Sequence, residues 1–165
     1  MNWIDDRIQQ RKIKEEKENL IYVHAEEVFD ALWQHISMIV DEAANKGLAV
    51  GTNGGPRNRI AYASVIPKRG QAGNRKELNL TLDQNRREIT ARVEGNTLKF
   101  AIAVNERNIV GLQYNGEEIE IEDVAIMLAD RVVFYDLPPA NFGPPALSSD
   151  EAAAIRRLEH DMEKE

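Results

Sequence analysis

The chain has 165 residues, of which 42% are hydrophobic and 30% charged, with a formal net charge of −7 and no cysteine. That length is enough for one domain burying roughly two-thirds of its unfolded surface without a metal or disulfide staple, and the composition is far from that of disordered chains. The lack of cysteine excludes disulfides, thiolate zinc sites, iron–sulfur clusters and cysteine nucleophiles and points to a reducing, cytoplasmic setting. Met1 to Lys17 mixes acids and bases without an apolar run, unlike a signal or transit sequence, and no stretch of about 20 apolar residues is present to span a bilayer.

The first element predicted is a helix from Trp3 to Lys46, with Asn2 as N-cap, Asp5 in a first turn that suits negative charge, and Gly47 as the stop. Ile21, Ala25, Val28, Leu32, Ile36, Ile39 and Ala43 recur three or four apart and form a stripe that faces a core. Ile4, Ile8 and Ile13 are too thinly spaced around the charged run Arg11 to Glu18 to extend it. A straight 44-residue helix would be about 66 Å long, more than a domain of this size is wide, so the expectation is a break near Asn19 or a projecting arm over residues 1–18.

Gly51 to Pro56 reads as a loop, and Arg59 to Ile66 as a strand. Pro67 to Asn74 reads as a second, basic loop. Alternating apolar residues then predict strands around Leu78 to Leu82, Ile89 to Val93, Leu98 to Val104, Val110 to Tyr114 and Ile119 to Ile121, joined by tight turns. Asn115-Gly116 is the clearest of these, since both residues accept the positive φ of a type I′ turn. Short turns force antiparallel neighbours, so the fold class is α+β: a long N-terminal helix packed on a meander of about six strands. Residues 122–135 fit either a helix or a strand, with the helix preferred over the first two turns. Residues 137–147 hold four of the six prolines and form a connector. Ser148 and Glu151 make a capping box for a C-terminal helix over 148–165.

Candidate chemistry is sparse. His24 and His35 would lie about 16 Å apart along the helix and cannot share an ion, and His24 with Glu27 falls short of the three or four ligands a metal site needs. No serine occupies a nucleophile elbow, and Glu118, Glu120 and Glu122 read as one polar strand face. No metal, cofactor or catalytic residue is assigned, and the reading leans away from an enzyme. Charge, however, is segregated: from Arg57 to Val93 nine Lys or Arg face three acids, whereas from Glu94 to Glu165 six face fifteen.

Three functions follow. The first is a non-catalytic interaction or adaptor domain, self-associating or holding a protein partner through Trp3, Ile4, Ile8 and Ile13 on the N-terminal helix. The second is an anion-binding module for nucleic acid or a phosphorylated ligand, using Arg57, Arg59, Lys68, Arg69, Arg75 and Lys76, since guanidinium groups and loop N–H groups are what phosphate recognition employs. The overall acidity weakens duplex binding, which depends on neutralising phosphates. The third is a small-molecule pocket between sheet and helix, with Tyr62, Tyr114 or His35 reaching inward.

Overall fold

A computed structural model describes residues 2–54, 58–65 and 74–140. Helix α1 (Trp3–Asn45) runs its 43 residues without a break, about 64 Å at roughly 1.5 Å per residue. The expected break at Asn19 does not occur. No Gly or Pro interrupts the segment, and an interior Asn costs only about 0.7 kcal/mol of propensity, too little to stop a helix already nucleated by its packed half. The Asn2 side chain accepts the Ile4 N–H at 3.2 Å, and Asp5 and Asp6 occupy the first turn. At the other end Gly47, at φ +97°, lets the Gly47 and Leu48 N–H groups turn back to the Ala44 and Ala43 carbonyls. This satisfies the last carbonyls in the manner of a Schellman motif.

Seven strands follow in strict sequence order, all antiparallel: β1 (Val50–Gly54), β2 (Asn58–Val65), β3 (Asn74–Asp83), β4 (Glu88–Val93), β5 (Asn96–Val104), β6 (Val110–Tyr114) and β7 (Glu117–Ile119). The strand beyond the expected six is β1, read from sequence as a glycine loop. Its backbone pairs with β2 from Val50↔Ala63 to Gly54↔Arg59, so edge pairing overrides a weak propensity. Glycine is required at position 51 because Tyr62 crosses it: a Cβ there would meet Tyr62 Oη at 2.5 Å. The turns behave as their residues dictate. Asn115 and Gly116 both have positive φ, and so do Glu94 and Gly95, which places that hairpin one residue earlier than Gly95-Asn96. In the β5–β6 turn, Asn105 Oδ1 accepts from the N–H groups of Arg107 and Ile109.

Helix α2 (Ile121–Val133) settles the ambiguous segment as a helix that includes Val132 and Val133. Seven of its side chains, from Val124 to Val133, are buried, and that burial outweighs the strand preference of two valines. As a result Ile121 begins a helix, and Glu118, Glu120 and Glu122 share no strand face. Glu118 lies in β7, Glu120 is the N-cap of α2 and Glu122 is in its first turn.

Both helices cover the apolar face of the sheet. α2 lies against β2, β3 and β4, while α1 touches α2 and the strands to either side, β1, β2, β5 and β6. Ala61, Ala63 and Ala91 on the strands beneath α2, with Ala125 and Ala129 on the helix, are small enough for close approach. Leu78, Leu80, Ile89, Phe100, Leu32, Ile36 and Leu128 fill the rest of one continuous core. Among the described residues every buried side chain is hydrophobic. After α2 the chain turns back, and the Ala140 N–H donates to Asp130 Oδ2 at 3.0 Å. The rest of the proline connector and the expected helix over 148–165 lie outside the described residues. No helix among these residues is long and apolar enough to cross a membrane.

Candidate interaction surface

The buried stripe of α1 starts at Ile21 and runs through Ala25, Val28, Phe29, Leu32, Ile36, Val40 and Ala43. Polar ties mark where the helix leaves the sheet: Arg87 pairs with Glu18 at 3.5 Å and Gln84 donates to Glu26 at 3.2 Å. Among the described residues no hydrogen bond or ion pair links residues 3–17 to the sheet or to α2. The polar contacts of this stretch stay within the helix, Arg7 to Gln10 at 3.0 Å and Lys14 to Glu18 at 3.9 Å. The arm is therefore about 22 Å of helix carried by the packed half behind it. It needs no new nucleus, but it gains no burial of its own.

All four apolar residues singled out on this arm are in solvent: Trp3 is 72% exposed, Ile8 57%, Ile4 46% and Ile13 44%. Between them, Arg7 to Lys14 contains Arg7, Arg11, Lys12 and Lys14 and no acid. At i, i+4 and i+7, Arg7, Arg11 and Lys14 share one face of the helix. From Glu18 to Asn45 the same helix carries six acids and no Lys or Arg. Asp5, Asp6, Glu15 and Glu16 flank the basic stretch, so residues 3–17 hold five bases and four acids and are close to neutral as a whole, while the packed half of α1 is acidic.

A groove opens at the root of the arm, between Lys17, the β5–β6 turn and the start of α2, enclosing about 1120 Å³. Ile109, 58% exposed, lies on its wall, and Glu106, Glu118, Glu120 and Asp123 line it. Among the described residues none of these four carboxylates has an ion-pair partner. This groove was not foreseen. It is assembled from three distant segments, and the only local sign is that Ile109 falls in a turn, outside the strand alternation.

The basic residues expected to bind anions are placed differently. Arg57, Lys68 and Arg69 lie outside the described residues. Arg59 is in β2, its guanidinium 4.8 Å from the centre of the Phe29 ring and 6.0 Å from that of Trp33, and it donates to Asp30 Oδ1 at 2.6 Å. Arg75 lies over the Tyr62 ring at 4.2 Å and pairs with Glu77 at 2.8 Å; Lys76 pairs with Glu94 at 2.9 Å. Arg59 pairs in register with Leu80, so it stands four and five residues along β3 from Lys76 and Arg75, about 13–16 Å at roughly 3.3 Å per residue. The structure does not bring the described cations together. Beside Arg59, a second groove of about 810 Å³ is lined by Glu26, Asp30 and Asp83, so acids surround the one cation there.

The histidines sit apart. His24 Nδ1 is 2.9 Å from Glu27, and His35 Nε2 is 3.7 Å from Glu122 at the start of α2. Among the described residues no three His, Asp or Glu side chains converge closely enough to hold a metal ion. Tyr114 packs against Phe100 with ring centres 5.2 Å apart, and Tyr62 lies under Arg75, so both rings serve packing. No known protein family, curated protein or solved structure matches the chain.

Proposed function

We propose that this chain is a non-catalytic protein-interaction domain whose contact surface is the N-terminal half of α1. One observation carries the reading: an unbroken helix continues for 15 residues, from Trp3 to Lys17, past its last tie to the sheet, with four large apolar side chains in water. The arm gains no burial within its own fold, and its four large side chains, 44–72% exposed, each forgo a share of the roughly 1.5–3 kcal/mol that full burial would give. Both deficits are removed when another polypeptide covers the arm. Exposed aromatic and aliphatic residues beside arginines are also the composition of interface cores. The reducing environment suggested by a cysteine-free chain fits cytoplasmic work.

The test compares the wild-type chain with Ile8→Asp, both tagged and recovered from the cells that naturally make the chain, with bound proteins quantified by mass spectrometry. The reading expects at least one protein, including untagged copies of the chain itself, to be held by the wild type and lost from the variant. Identical partner profiles would overturn it.

A further inference from the structure

The two edges of the sheet are built differently. β7 is three residues long, with Glu117 and Glu118 exposed on it and Glu120 just beyond, so brevity and acids guard that edge against strand pairing. β1, at the other edge, is five residues long, and the chain carries neither charge nor proline from Gly47 to Gly55. Its backbone is open as well. The Ser64 N–H donates to the Ala49 carbonyl at 2.8 Å, and the same register continues through Gly51↔Tyr62 and Asn53↔Ile60. Antiparallel partners alternate between hydrogen-bonded and non-hydrogen-bonded pairs. Gly51 and Asn53 therefore turn their N–H and C=O groups toward β2, while Val50, Thr52 and Gly54 direct theirs away from it. The Val50 N–H is taken by the Leu48 carbonyl at 3.0 Å. Among the described residues the Val50 carbonyl, both backbone groups of Thr52 and the Gly54 N–H have no partner.

We infer that this edge is a docking site for an extended peptide segment of another protein, which joins the sheet as a further strand beside β1. Donors and acceptors that alternate along an extended backbone are matched by a second extended backbone. The side chains of the added strand are constrained too. Val50 and Thr52 lie opposite the buried Ala63 and Ala61, on the face that carries the helices. On that face α1 touches β1, and its partly buried Trp33 lies 6.0 Å from the guanidinium of Arg59, the residue opposite Gly54. Every second residue of an added strand thus points toward Val50, Thr52 and Trp33. Nearby charges are already cancelled within the chain: Lys46 pairs with Glu42 at 3.1 Å, Arg59 with Asp30 at 2.6 Å and Arg75 with Glu77 at 2.8 Å. The occupant that fits is an uncharged stretch of about five residues with apolar side chains at alternate positions. A second copy of β1 fits poorly. Twofold pairing about Thr52 sets Val50 opposite Gly54 and Gly51 opposite Asn53, so a glycine meets each larger residue, and cross-strand side-chain pairs are what stabilise a sheet.

The probe is a phage-displayed library of random dodecapeptides panned on the full chain, with selected peptides synthesised and titrated against the wild type and Thr52→Pro. That substitution removes an N–H directed away from β2, so β1 stays paired while the edge loses its central donor; thermal unfolding followed by circular dichroism checks the fold. Selected peptides should show alternating apolar residues and bind Thr52→Pro at least about tenfold more weakly than the wild type. Ile8→Asp should bind them as the wild type does, which separates this site from the arm.

Two further readouts need no variant of the chain. In the free protein the Thr52 and Gly54 amides should exchange hydrogen faster than those of Gly51 and Asn53, and a bound peptide should slow the first pair. Single N-methyl groups placed along a bound peptide should weaken binding at every second position. The inference is overturned if no selected peptide distinguishes the wild type from a folded Thr52→Pro. It is overturned equally if Thr52 and Gly54 are already protected in the free chain, which would mean that its own segment or a second copy holds the edge, or if the N-methyl positions show no alternation.

Discussion

Replacing Arg59 by Ala separates a structural role for this cation from an anion-binding one. Its side chain is only 14% exposed, stacked on Phe29 and facing Trp33, with Asp30 at 2.6 Å. The substitution removes two buried methylenes, about 1.6 kcal/mol. It also removes the attraction of a desolvated guanidinium for two aromatic faces, about 2 kcal/mol together. The ion pair adds only about 0.5 kcal/mol, since Asp30 is half exposed and solvent screens it. Against these stands the rotamer freedom regained when the long side chain goes, about 2 kcal/mol. The net loss is about 2 kcal/mol, which at about 4 °C per kcal/mol for a chain of this size lowers Tm by about 8 °C. Arg59→Met, which keeps an apolar stem against both rings, should lose about half as much. Differential scanning calorimetry of the three proteins measures this directly. A shift under about 2 °C for Arg59→Ala would show that the stacked arrangement contributes little and would refute the reasoning.

Three further outcomes are expected. Leu128→Ala, at a fully buried position on α2, should cost about 3 kcal/mol in urea unfolding; a cost below 1 kcal/mol would mean that α2 is not clamped between sheet and α1. Gly51→Ala should cost about 1 kcal/mol through collision with the Tyr62 ring and should become neutral or stabilising in a Tyr62→Ala background, so equal costs in both would remove Tyr62 as the reason for this glycine. Ile8→Asp, on a solvent-exposed turn of the arm, should change unfolding free energy by no more than about 0.5 kcal/mol at dilutions where no association occurs. A larger loss would mean that Ile8 contributes to the fold rather than standing in solvent.

The sheet was largely legible because its signals are local. Alternation at Leu78, Leu80 and Leu82 or at Leu98, Phe100 and Ile102 fixes which face turns inward, and Asn115-Gly116 specifies its hairpin with two residues. β1 was missed for a reason equally physical: Gly51 and Gly54 carry no strand preference and take their conformation from pairing with β2. Likewise Val132 and Val133 favour a strand in isolation and become helical because α2 buries them against the sheet. The exposed residues of the arm could be read from sequence because the helical stripe lapses before Ile21. Neither the groove at Lys17 nor the engagement of Arg59, Arg75 and Lys76 could be, since each depends on side chains brought together across elements. Arg59 and Asp30 are 29 residues apart in the chain, and Lys76 and Glu94 are 18 apart. Counting basic residues along a segment says nothing of which ones their neighbours already neutralise.

The most direct test of the arm's role is the recovery of bound protein, further copies of the chain included, by the full chain and by Ile8→Asp at equal concentration. The account predicts at least one protein that the wild type holds and the variant loses while its fold stays intact. Identical recoveries by the two would contradict it.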